Sequence, residues 1–98
     1  MEGTVITMPA VALRGLTVFP AMMIHFDINR KRSVAAVEKA MVSDQKVFLV
    51  TQRQPEVVEP GLPDLYQVGT IALVKQMVKL PGGNIRVMVE GLKRAELL

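Results

Sequence analysis

His25 is the single histidine of this 98-residue chain, and cysteine is absent. The side chains that most often serve as general base, thiolate nucleophile or soft metal ligand near neutral pH therefore have no partner here. Ser33 and Ser43 are the serines, and no Gly-x-Ser-x-Gly elbow surrounds either. Both flank a predicted helix, where capping is the expected role. Carboxylates are scattered without metal-ligand spacing. Pro81-Gly82-Gly83 is not followed by Gly-Lys-Ser/Thr and leads into a strand pattern, so it is no phosphate loop. The residues imply a chain without catalytic, cofactor or metal site.

Binding is the chemistry that remains. Arg30-Lys31-Arg32 is the densest charge cluster and falls at a strand-to-helix junction. A solvated basic turn is its bland reading; contact with acidic segments of a client or neighbouring subunit is its functional one. The helix dipole disfavours cations at that end, so something else must retain them. Seven methionines without a tryptophan are the second sign, since thioethers are flexible and polarisable and adapt to many apolar sequences. Met23, Met77 and Met88 are the expected exposed ones. Alternation slips near Lys75-Gln76, and a bulge there would turn Met77 inward. Tyr66 is expected to bury its ring and keep its hydroxyl at the surface.

These residues need elements to hold them. Met22, Ile24, Phe26 and Ile28 alternate with Met23, His25 and Asp27, the period of a half-buried strand. A helix is predicted from about Lys31 to Val42, with Val34, Val37, Ala40 and Met41 on its buried face, Asn29 or Ser33 as cap, and Ser43-Asp44 as stop. Val47 to Val50 reads as a strand buried on both faces, and Arg53 to Pro63 as a proline-rich loop. Thr70 to Leu80 and Ile85 to Glu90 form a long hairpin about Pro81-Gly82-Gly83-Asn84. Val5 to Met8 and Val11 to Leu13 are further strand expectations. Many short strands with one helix imply a mainly β (α+β) fold, a small barrel or folded sheet.

Composition sets outer bounds. The length suits one modest core. Net charge is +3 with four aromatic residues, far from the basic, aromatic-rich surface of a nucleic-acid binder. No apolar run reaches the roughly eighteen residues of a membrane span. Met1-Glu2-Gly3-Thr4 carries no basic leader or signal core, and absent cysteines fit a reducing compartment; a cytoplasmic location is expected.

Wording narrows the picture further. Leu13-Arg14-Gly15 before Val18-Phe19-Pro20, Asn29-Arg30 before Ser33, Gln52 closing a strand, Asp64-Leu65-Tyr66-Gln67-Val68-Gly69-Thr70, and Val89-Glu90-Gly91-Leu92-Lys93-Arg94-Ala95 occur in this order. Together they resemble the N-terminal domain of ATP-dependent Lon proteases, from about Met8 to Leu98; the family usually has Gly where this chain has Asn29. The resemblance implies a single PUA-like pseudo-barrel of short, mostly antiparallel strands over residues 1–98 with one helix at its side. It implies a non-catalytic module that recognises unfolded, damaged or tagged proteins and helps assembly of a homo-hexameric parent. That parent would use ATP and Mg with a serine-lysine dyad, for which this chain has no counterpart. The apolar ending suggests a cut inside an element. Leu92, Leu97 and Leu98 would then flank an open sheet edge, and a two-fold dimer of this chain is expected. An RNA-binding PUA-like module and a stand-alone Lon-like regulatory domain are the alternatives.

Overall fold

A computed structural model describes residues 6–57 and 60–97. Its strands are β1 (Ala10–Leu13), β2 (Met23–Ile28), β3 (Lys46–Thr51), β4 (Val68–Lys79) and β5 (Ile85–Glu96), with α1 (Lys31–Met41) between β2 and β3. They form one mixed sheet in the order β1-β3-β4-β5-β2. β1 runs parallel to β3, and every other neighbouring pair is antiparallel. The mainly β fold with one side helix is thus as expected. Ile6 to Met8 form no strand, and Val5 lies outside the described residues; the first strand begins only after Pro9, which has no N–H to give a ladder.

The core follows the alternation. Ile28, Ile85, Val87 and Val89 are buried with Val37 and Ala40 of α1, while Met22, Ile24 and Phe26 pack against them half-buried. β3 is buried on both faces: Val47 and Leu49 join that cluster, whereas Phe48 and Val50 join Ile71 in a second one with Leu65 and Leu97. Gly69 is required there, because a Cβ would stand 2.5 Å from the Leu49 carbonyl oxygen and 2.6 Å from the Phe48 ring. The crossover from β1 to β2 is pinned by hydroxyls. Thr70 Oγ1 donates to Val18 O at 2.6 Å, and Thr51 Oγ1 to Leu16 O at 2.8 Å.

The β4–β5 hairpin turns through Pro81–Gly83, with Gly82 and Gly83 at positive φ. Its ladder slips twice, leaving Lys75 and Leu92 as extra residues. Helix α1 corrects the capping expectation. Its N-cap position is Arg30 without a side-chain cap, Asn29 is exposed and Ser33 is buried. The C-terminal end is closed instead, by Ser43 Oγ donating to Ala40 O at 3.1 Å and by Gln45 at φ 63 donating its N–H to the same oxygen.

Candidate functional site

Strand alternation sorts the residues expected to bind. In β2 the odd positions face outward, and register places Met23 opposite Glu90, His25 opposite Met88 and Asp27 opposite Arg86. Met23 and Met88 are therefore diagonal neighbours on one outer face, a spacing that long side chains bridge. Met23 is 57% exposed, Met88 half-buried. The bulge at Leu92 adds an apolar side chain, 40% exposed, just past Glu90. No periodicity in the sequence announced that bulge.

Charges on this face pair with one another. Arg86 donates to both Asp27 oxygens, Nε at 2.7 Å and Nη2 at 3.2 Å. That hydrogen bond, reinforced by the guanidinium's charge and by a smaller effect of His25, holds the Asp27 carboxyl below its ordinary value, against an opposing desolvation. Lys75 reaches Glu90 at 3.6 Å. The face thus offers polarisable apolar surface between locally neutralised pairs, an arrangement suited to apolar contact.

Met77 is not part of it. Because Lys75 is inserted, Met77 sits opposite Val87 and packs on the main core half-buried. The slip read at Lys75-Gln76 had pointed to this outcome.

The basic cluster has a different occupation. Arg30 Nη2 donates to Val57 O at 3.0 Å, and Arg32 Nη1 lies 3.5 Å from Pro60 O. Gln52, 2% exposed, donates its Nε2 to the same Val57 oxygen at 2.9 Å and to Gln54 O at 3.1 Å. Two arginines therefore strap the proline loop to the helix start, and one buried amide straps it to the end of β3, which explains cations at an end the dipole disfavours. Lys31 is exposed. A glutamine closing an apolar strand was the sequence sign of this strap, legible only once the loop's carbonyls are placed.

The edge leucines separate. Leu97 packs half-buried in the second cluster, and its N–H donates to Gln67 O at 2.7 Å. Leu92 is exposed, and Leu98 lies outside the described residues. Tyr66 departs from expectation: the residue is 47% exposed, and the Arg53 guanidinium lies over its ring, 5.1 Å from the centroid. Among the described residues no three His, Cys, Asp or Glu side chains are grouped to hold a metal ion.

Solved structures that share this fold are N-terminal domains of Lon proteases. The N-terminal domain of the Mycobacterium avium complex Lon protease superimposes with a TM-score of 0.69 at 21% identity, over 91% of this chain and 44% of that one. A Lon N-terminal domain protein from Xanthomonas campestris gives 0.67 at 15%, over 94% and 50%. The chain belongs to the ATP-dependent protease La (LON) substrate-binding domain family, whose model matches residues 7–98. It is 53% identical over 95 residues to the Lon protease of Heliobacterium modesticaldum, covering 97% of this chain and 12% of that protein. It is 57% identical over 90 residues to that of Lachnoclostridium phytofermentans, covering 92% and 11%. Lon protease 1 of Bacillus subtilis is 49% identical over 92 residues, covering 94% and 12%. The chain thus spans about an eighth of the length of these relatives.

Proposed function

We propose that this chain is the client-recognition domain of an ATP-dependent Lon serine protease, engaging apolar segments of unfolded, damaged or tagged proteins in the cytoplasm. The observation that carries this is the outer face of Met23 and Met88, where Asp27 pairs with Arg86 and Glu90 with Lys75, on a domain of a substrate-binding family. Peptide-bond hydrolysis, with the ATP and Mg it uses, belongs to other modules of the parent. In that parent, a homo-hexamer, the domain also contributes to assembly.

Apolar burial is not screened by salt, so binding of fluorescently labelled unfolded casein should persist at high ionic strength. Met23→Ser with Met88→Ser should weaken it without unfolding the domain. Binding that vanishes with salt and survives those changes would replace this reading with an electrostatic one centred on Lys31. Absence of binding to any unfolded chain would refute it.

A further inference from the structure

The sheet has two free sides, and they approach one another. β1 and β2 are its end strands, yet residues 11–14 and 16 line a cavity of about 170 Å³ together with residues 26–30. Leu13, Leu16, Phe26 and Ile28 supply most of its apolar lining, and Arg14, Asp27, Asn29, Arg30 and Ser33 make the rest of it polar. A volume of about 150 Å³ takes a benzene-sized group; by size, the apolar part of this cavity takes the side chain of a leucine or phenylalanine.

Ladder alternation shows what faces the gap. Phe48 N donates to Pro9 O and Gln52 N to Leu13 O, both at 2.8 Å. Odd residues of β1 therefore point their polar groups at β3, and those of Ala12 point the other way. On the far side Gly91 N donates to Met22 O at 2.8 Å. Even residues of β2 consequently bond β5, and Asp27 turns its N–H and C=O outward. Among the described residues no main-chain bond joins Ala12 to Asp27 across the gap. One parallel and three antiparallel pairings also make β1 and β2 run in opposite directions. A strand laid between them would be parallel to one and antiparallel to the other.

Charge at the mouth has a sign. Asp27 is neutralised by Arg86, whereas Arg14 lines the cavity, is exposed and has no ion pair among the described residues. A carboxylate on the occupant would complete it.

We propose that the gap between β1 and β2 takes up an extended polypeptide segment as an added strand, with one apolar side chain in the cavity and an acidic residue beside Arg14. This rests on the client-recognition reading and gives it a mode. Main-chain hydrogen bonds hold the segment whatever its sequence, while the cavity and Arg14 set a modest preference. Ala12 and Asp27 supply the donors and acceptors; Met23 and Met88 lie on the outer face and make separate contacts.

The test compares synthetic, fluorescein-labelled peptides of about ten residues, long enough to span the gap. One alternates Thr and Val around a central Leu-Glu pair, and its twin carries N-methyl groups on alternate amides. The N-methylated twin should bind at least about tenfold more weakly by fluorescence polarisation, a loss in proportion to the ladder bonds removed. Arg14→Glu should lower affinity for the Leu-Glu peptide and restore it for a Leu-Lys version. Peptide-induced amide shifts should centre on Ala12 and Asp27. The peptide comparison leaves the protein unaltered, so it stands even if a variant folds poorly. Equal affinity of the twins overturns strand addition, as does peptide-insensitive Ala12 and Asp27. Casein binding lost in the Met23→Ser, Met88→Ser variant together with equal twins leaves client recognition standing without this mode. No binding of peptide or casein overturns both.

Discussion

Removing the strap around Val57 should separate fold from recognition. Gln52→Ala deletes two hydrogen bonds, to Gln54 O at 3.1 Å and Val57 O at 2.9 Å, from a side chain 2% exposed. At about 1 kcal/mol per bond, plus about 1 kcal/mol for the partly collapsed cavity, the cost is about 3 kcal/mol. In a domain of this size that lowers Tm by about 12–24 °C. Arg30→Met keeps the apolar stem and loses a charged donor, but Val57 O retains the Gln52 amide; about 1.5 kcal/mol is expected. The double variant leaves that oxygen with neither donor. Its cost should exceed the sum of the singles by about 1 kcal/mol in a mutant cycle. Urea denaturation followed by circular dichroism measures all three. Casein affinity of Arg30→Met, taken well below its Tm, should stay unchanged. A variant of undiminished stability that no longer bound casein would refute the reasoning and make Arg30 a client contact.

Three further outcomes are expected. Ala21 sits at φ 68 with its N–H on Gly91 O, so Ala21→Gly should raise stability by about 0.5–1 kcal/mol, read as a higher urea midpoint. Gly91→Ala would drive a Cβ into the Phe19 carbonyl and to 3.3 Å from Pro20 Cα; a loss of about 2 kcal/mol or more is expected in the same assay. Asp27 has a folded-state value held below the ordinary 3.8, chiefly by its hydrogen bond to Arg86, so its contribution is fully present above that pH and fades as pH falls through the lower folded value. NMR titration of the Asp27 carboxyl should show a midpoint below 3.8 that moves up towards it in Arg86→Gln, whereas an unmoved midpoint would remove the ion pair from the account.

Local period made most of the fold legible. The alternation of Met22 to Ile28, the 3.6-residue spacing of Val37 and Ala40, and the glycines at 82 and 83 each describe neighbouring residues, and each element formed as expected. Met23 and Met88 were both readable as outward, but only register shows them to be diagonal neighbours. Long-range partnerships were not legible. The carbonyls of Val57 and Pro60 that occupy Arg30 and Arg32 come from a loop some 27 residues on, so the cluster read as free charge. Leu97 looked like open-edge surface because nothing local shows the cluster of Phe48, Val50 and Ile71 that it packs against. Tyr66 looked like core because sequence does not show Arg53 covering its ring.

Methyl NMR of the methionines during titration with unfolded casein tests the central claim most directly. Met77, packed half-buried on the core, is the internal control for Met23 and Met88 on the outer face. At low and high salt alike, the Met23 and Met88 methyl signals should shift and broaden while Met77 stays in place. Silent Met23 and Met88 methyls, with perturbations centred on Lys31 that disappear as salt is raised, would contradict the account.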